Sequence, residues 1–505
     1  MPATFHVEHF GCRAARADGE AIAERLRTSG LDASQPALAD VVIVNTCSVT
    51  AEADRQARAF IRRARRRNPA ARILVTGCYA QRAPQELAQI PGVSAVVGNS
   101  HKALAPSIAL SLANASAKER LPQANPLVQI QSAHAALAPP QVVLAPILAD
   151  DAFAHSFLED ARLVPGSQTR PNLKIQEGCG NRCSFCVIPQ TRGSSRSLPA
   201  AQILQRVRQF VVDGGQELVF SGINLGRWGR DLAPASELPH PSLAALVRLV
   251  LESTSLPRLR LSSIEPMDWD ADLLAVLRDF SGDGEPGSPA TGLRRWGARL
   301  APHAHLPLQS GSDAVLRRMH RRYRPWHYEQ KVAGLLDALG PDLTLGADVM
   351  AGFPGETDRE FDETLAFLRS LPFGYLHLFP FSPRPGTRAW ALHAANPVPP
   401  AVVEERMAAL RQLAHQKSLA HRRRFLGRTL PAITLHTPPA LAALGRAAAL
   451  TANFLPVELD APLPANQLLS ARITALDSAD LTLRASVSAP ASASRTHIPA
   501  ALAAC

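Results

Sequence analysis

No part of the 505-residue chain is apolar over the roughly eighteen positions that a bilayer-crossing helix needs, so no membrane span is expected. The first residues, MPATFHVEHF, lack a basic stretch followed by an apolar one. No signal peptide is therefore expected, and the cytosol is the default compartment. Acidic residues are the scarcer charge: 43 Asp and Glu against 54 Lys and Arg leave a net +11. A basic balance of this size suits a polyanionic partner. Cysteine is scarce too, with seven in the chain. Under reducing conditions clustered thiols point to metal or catalysis rather than to a disulfide framework.

What is present is concentrated. Six of the seven cysteines form two sets of three. Cys179, Cys183 and Cys186 lie in EGCGNRCSFC, with CxxxCxxC spacing, directly after an apolar strand-like stretch. Three thiolates on one loop can hold three irons of a cubic cluster and leave the fourth open to a cofactor. Zinc with a fourth ligand from elsewhere is the alternative. Cys12, Cys47 and Cys78 are scattered, but each follows a short apolar run, in FGC, NTC and TGC. The carboxyl ends of strands in an open parallel sheet share one edge, so these three thiols are expected to converge on a second site. Buried core thiols are the plainer alternative.

The length suggests roughly three domains of an α/β protein. Residues 1–100 alternate strand candidates (Phe5–Phe10, Val41–Val44, Ile73–Val75, Ala95–Val97) with helical stretches, as in an open parallel sheet. Residues 101–168, rich in Ala, Pro, Leu and Ser, read as a partly disordered linker or insertion. Residues 169–400 carry six strand candidates: Leu173–Gln176, Leu218–Phe220, Arg258–Leu261, His305–Leu308, Leu345–Val349 and Leu376–Phe381. Six βα units suit a partial barrel with its site at the strands' carboxyl ends. Gly282–Ala290 reads as a loop insertion within it. A connecting helix over 401–428 ends at Gly427, residues 429–485 show short β-like runs that suggest a small β-barrel, and 486–505 read as a disordered tail holding Cys505. Arg55 to Arg67, with the run RRARRR, lies in a predicted helix that is either a solvated face or an RNA contact.

The ordered series NTCSVTAEADRQAR, NPAARILVTGCYAQ, EGCGNRCSFCVIP, FSGINLGRWGRDL, RLSSIEP, HLPLQSGSDAVLRRM, DVMAGFPGET and FSPRPGT resembles the radical S-adenosylmethionine methylthiotransferases. The resemblance implies an auxiliary 4Fe–4S cluster on Cys12, Cys47 and Cys78, a radical-generating 4Fe–4S cluster on Cys179, Cys183 and Cys186, and a C-terminal barrel of the RNA-binding TRAM type. It implies two molecules of S-adenosylmethionine per turnover, one cleaved to a 5′-deoxyadenosyl radical and one supplying a methyl group to sulfur on the auxiliary cluster. It also implies an electron donor such as flavodoxin or ferredoxin, while the sulfur donor is not legible. Gly214, Gly215 and Glu217 resemble a glycine-glycine-acid segment that contacts the cofactor, and Glu265 and Gln309 follow strands toward the barrel mouth. A helix-to-strand turn and plain rim residues are the alternatives. The chain departs from the family at Ala15, where Asn is usual, though Asp18 is retained; in TANF, Phe454 replaces the usual Tyr. GINLGRWGRDL and RLSSIEP are most similar to the branch acting on threonylcarbamoyladenosine at position 37 of tRNA, beside the anticodon. The isopentenyladenosine branch is the second reading, and a non-catalytic RNA-binding protein with structural metal sites is the third.

Overall fold

The structure, a computed structural model, describes residues 2–114, 145–153, 163, 170–235, 238–281 and 299–487. The first domain holds strands β1 (Thr4–His9), β2 (Asp32–Ala33), β3 (Val41–Thr46), β4 (Arg72–Gly77), β5 (Val93–Gly98) and β6 (Ile147–Leu148). All pair in parallel, in the order β2-β1-β3-β4-β5-β6. Strand β3 is buried along its whole length, as a central strand covered on both faces must be.

The helix Ala51–Arg67 covers one face of this sheet. The Thr50 side chain caps its first turn, which carries Glu52 and Asp54, and Arg65, Arg66 and Arg67 fill its last. Both ends thus match the helix dipole. Ile61 is buried against the sheet and Phe60 packs edge-on against Phe10, while Arg62, Arg63, Arg66 and Arg67 are exposed.

The expected boundary at residue 100 does not hold. A 3-10 turn at Asn99–Leu104 continues into the helix Ala105–Asn114, which packs on the first domain, and β6 extends its sheet. The Ala-rich composition concealed an integral helix whose Ala105, Ala109 and Leu112 are buried. Residues 115–144, within the expected linker, lie outside the described residues, as do 282–290 and Cys505.

The central domain holds β7 (Asn172–Glu177), the short β8 (Arg196–Ser197), β9 (Glu217–Gly222), β10 (Arg258–Leu261), β11 (His303–His305), β12 (Thr344–Ala351) and β13 (Phe373–Pro380). Strands β10-β9-β7-β8 form one sheet and β11-β12-β13 another. The bridge from Leu259 to Leu300 and the bond from Ile264 N to His305 O join them. Six parallel strands therefore curve in sequence order into a partial barrel. The fourth is displaced from the expected His305–Leu308: pairing with β12 covers His303–His305, and Pro307 lacks the N–H that would continue it.

The helix Pro400–Arg423 lies along β13 and leads, past Gly427 at φ 77°, to the C-terminal barrel. This closed barrel, in the order β14-β15-β16-β18-β17, consists of β14 (Thr429–Thr434), β15 (Ala447–Thr451), β16 (Pro456–Leu459), β17 (Leu468–Leu476) and β18 (Leu483–Val487). Strand β18 takes in Ser486 and Val487, which the sequence reading gave to the tail; residues 488–505 lie outside the described residues.

On the Pro400–Arg423 helix, buried His421 meets the Thr344 hydroxyl at 2.9 Å. Burial, with Arg424 and Arg422 nearby, pushes its pKa down to about 4. The unfolded chain, titrating near 6.5, binds this proton more readily between pH 6.5 and 4. Stability contributed by neutral His421 above pH 6.5 is therefore lost as the pH falls toward 4, by up to roughly 3 kcal/mol. Urea titrations from pH 7 to 4.5 should show a flatter acid limb for His421→Gln than for the parent. Parallel limbs would contradict this.

Candidate functional site

The cysteine loop begins where β7 ends. Gly178 has φ 71°, and a Cβ there would lie 1.9 Å from the Ser194 carbonyl oxygen, so only glycine makes this turn into Cys179. Cys179 N then donates to Gly193 O at 2.9 Å. Ser184 bonds Met319 O through its N–H and Arg318 O through its hydroxyl. The loop is thereby fixed at the carboxyl end of β7, at the barrel mouth. Backbone N–H groups of Asn181 and Ile188 approach the sulfurs of Cys179 and Cys186. Burial pushes these two thiols up, to about 11 and about 12.

Two residues that follow strands flank this loop. Glu265, after β10, pairs with buried Arg321 at 2.6 Å, and the same guanidinium donates to Cys183 Sγ at 3.3 Å. Gln309, after β11, holds φ 70° and bridges to Val349; its buried Oε1 has no partner among the described residues.

Gly214, Gly215 and Glu217 are not part of the mouth. Glu217 is the first residue of β9, so it and the two glycines lie at the amino end of the barrel, the far end from the cysteine loop. Its buried carboxylate is occupied by Arg260 at 2.9 Å and Arg258 at 3.2 Å. Burial opposes its ionisation, but Arg260, Arg258 and Arg170 hold it down to about 2. This is a structural ion cluster. What stands at the carboxyl end of β9 is Gly222 and then Asn224, in the left-handed region with its buried Oδ1 unpartnered among the described residues.

The C-terminal barrel seals that amino end. Phe454, at φ 71°, stacks on His303 with centroids 4.3 Å apart and packs beside Tyr375 and Arg260. Asn466 bonds Gly214 O and Gln216 N. Phe454 is thus a plug in the barrel.

The three scattered cysteines stand at the carboxyl edge of the first sheet, after β1, β3 and β4. A Cβ at Gly11, which has φ 103°, would lie 2.1 Å from Cys47 Cβ, so the glycine permits the approach of Cys12 to Cys47. A hydrogen bond from the Cys47 thiol draws Cys12 down to about 5 against the opposing effect of burial. Cys78 Sγ accepts from Asn99 Nδ2 at 3.2 Å and from Arg192 Nε at 3.3 Å. Ala15 is buried in the first turn of the helix Arg13–Thr28, and its carbonyl accepts from the Asn45 side chain, so Asn45 secures the start of this helix beside Cys12.

Sequence reasoning missed the group that joins the two cysteine sites. Asp18, Lys102, Lys174, Glu177 and Arg192 form one buried ion cluster. Asp18 and Lys102 come from the first domain; Lys174 and Glu177 from β7; Arg192 from the turn after the cysteine loop. Arg192 Nη1 reaches Glu177 at 2.7 Å and Asp18 at 3.3 Å. Despite burial, the surrounding cations hold both carboxylates below the usual range. A second tie joins Asp54 of the arginine-rich helix to Arg384 of FSPRPGT at 2.7 Å. Only the retention of Asp18 hinted at the first.

Among the described residues, one group of His, Cys, Asp or Glu has its donor atoms all within 4.8 Å: His305, Asp348 and His377. These lie on β11, β12 and β13, and hydrogen bonds from the two imidazoles hold Asp348 ionised despite burial. Each triplet offers three free thiols, a donor set that suits a cubic cluster with one iron per sulfur.

Residues 4–98 match the family model described as Uncharacterized protein family UPF0004. The threonylcarbamoyladenosine tRNA methylthiotransferase MtaB of Aquifex aeolicus is 32% identical over 85% of this chain and 92% of its own length. The chain belongs to the tRNA methylthiotransferase family. The Bacillus subtilis protein of the same name is 34% identical over 77% of this chain and 75% of its own. A member from Erythrobacter litoralis, named tRNA-2-methylthio-N(6)-dimethylallyladenosine synthase, is 31% identical over 86% and 87%. Among solved structures, the radical S-adenosylmethionine methyltransferase TsrM of Kitasatospora setae aligns with a TM-score of 0.48 and 14% identity, over 77% of this chain and 74% of its own. No helix among the described residues of this methylthiotransferase is long and apolar enough to cross a membrane.

Proposed function

We infer that the protein is a radical enzyme that methylthiolates C2 of N6-threonylcarbamoyladenosine at position 37 of tRNA, in the cytosol. The observation that carries this reading is identity of 32% and 34%, over most of the chain, to enzymes named for that modification. The two cysteine triplets at facing strand ends support it. Two 4Fe–4S clusters and S-adenosylmethionine, two molecules per turnover, supply the radical and sulfur chemistry when bound.

Cys179, Cys183 and Cys186 would hold the radical cluster, and Cys12, Cys47 and Cys78 the auxiliary one. Gln309 and Asn224, with unpartnered buried oxygens near the mouth, are suited to accept hydrogen bonds from a cofactor's amino or hydroxyl groups. Glu265 acts through Arg321, holding that guanidinium against Cys183. The first domain meets the barrel beside the cysteine loop, through the contacts of Asp18 with Lys174 and Arg192. Exposed Arg62, Arg63, Arg66 and Arg67 provide phosphate contacts for the anticodon stem-loop without reading sequence. An electron donor such as flavodoxin or ferredoxin completes the system.

The isopentenyladenosine reading is kept because a relative at 31% identity carries that activity in its name. Nucleoside mass spectrometry of tRNA from a deletion strain separates the two. Loss of 2-methylthio-threonylcarbamoyladenosine, with the isopentenyl analogue unchanged, is expected. The reverse pattern would move the protein to the other branch, and no change in either would overturn the enzyme reading.

A further inference from the structure

Arg192 is fully buried between the two cysteine sites and belongs to neither triplet. Its Nε lies 3.3 Å from Cys78 Sγ, and its Nη1 reaches Glu177, two residues before Cys179. Nη2 is buried with no partner among the described residues, a spare charged donor beside the first-domain thiols. Among the described residues the ion cluster joins two carboxylates, Asp18 and Glu177, to three cations, Lys102, Lys174 and Arg192, and the Arg192 guanidinium is the cation that meets Cys78. Asn99 Nδ2 adds a neutral donor to the same sulfur at 3.2 Å while its oxygen stays unpartnered among the described residues.

We propose that Arg192 is a positioning residue that sets the reduction potential of the auxiliary cluster and ties that cluster to the root of the radical loop. Reduction by one electron adds negative charge to sulfur-rich surroundings. A charged donor on a ligand sulfur favours the reduced form, and hydrogen bonds to sulfur are among the main determinants of cluster potential. The donor comes from the radical domain although the sulfur belongs to the first domain. The auxiliary site therefore has its full electrostatic environment only when the two domains are docked. The inference rests on the reading that Cys12, Cys47 and Cys78 hold a cluster.

The test uses full-length, anaerobically reconstituted protein titrated with dithionite and followed by electron paramagnetic resonance. The auxiliary signal is assigned in the variant lacking Cys179, Cys183 and Cys186. Iron in that background tests whether the auxiliary cluster exists at all; without it, the functional reading fails rather than the role of Arg192. With the cluster present, Arg192→Gln should make its midpoint potential more negative by at least tenfold in the reduction equilibrium, which is about 59 mV for one electron. The substitution leaves Asp18 paired with Lys102, and Glu177 paired with Lys174. Lys102→Met removes a charge from the same network without contact to sulfur, and should shift the potential less. Equal shifts in the two variants, or none with Arg192→Gln, would overturn the proposal. If Arg192→Gln does not retain iron, Asn99→Leu removes the neighbouring donor, and a shift in the same direction is required.

Discussion

Protein in which Cys179, Cys183 and Cys186 are all alanine is expected to produce no 5′-deoxyadenosine from S-adenosylmethionine and to hold about four irons per chain in place of about eight. The loop itself should survive the change. Its position depends on Gly178, on the bonds of Ser184 to Met319 and Arg318, and on the bond from Cys179 N to Gly193 O, none of which uses a cysteine sulfur. The first domain has its own cores, so its triplet should continue to bind iron. The reciprocal variant, with Cys12, Cys47 and Cys78 as alanine, should also hold about four irons. It should still cleave S-adenosylmethionine while forming no methylthio product. Full iron in either variant contradicts the assignment. Zinc in place of iron in the parent protein would revive the non-catalytic reading.

The second large effect concerns stability. Replacing Asp18 by alanine removes a carboxylate that Lys102, Lys174 and Arg192 share, and leaves Glu177 as their common acidic partner among the described residues. Breaking a buried pair by removing one partner costs about 3–5 kcal/mol, because the remaining charge is stranded. Asp18 and Lys102 belong to the first domain and the other three residues to the central one, so the loss falls on the interface between them. Urea unfolding should show a markedly lower midpoint for Asp18→Ala. The double variant Asp18→Ala/Lys102→Met should be less destabilised than the sum of its single changes, since the second removes a cation that the first stranded. Strict additivity, or a cost for Asp18→Ala below about 1 kcal/mol, would show that the cluster is not coupled in this way.

The strands around both cysteine sets were legible because each is a short apolar run punctuated by glycine or a turn, and a cysteine next to such a run fixes its place at a strand end. The ion cluster was not legible. Asp18 and Lys174 are 156 positions apart, and nothing local marks a lysine as buried. Charged residues default to a solvated reading, and only the three-dimensional meeting of five of them reverses it. The helix Ala105–Asn114 was lost for a related reason: alanines packed closely on a sheet have the composition of a linker. Gly214, Gly215 and Glu217 were misplaced because a strand's polarity decides its chemistry. Gly214 and Gly215 precede β9 and Glu217 begins it, so they are committed to the closed end, whereas Gly222 ends the strand and Asn224 follows it.

The position of the C-terminal barrel makes the molecule a gauge. It sits at the amino end of the partial barrel, from which β7, six residues long, and β12, eight residues long, run toward the end that carries the cysteine loop. At about 3.3 Å per residue, those strands separate the two ends by about 20–26 Å. An RNA that touches the small barrel while one of its bases enters the mouth must span that depth. A free nucleoside or a very short oligonucleotide can satisfy the chemical end alone. Under the proposed function, an RNA segment long enough to engage both ends at once would be selected by reach as well as by base identity.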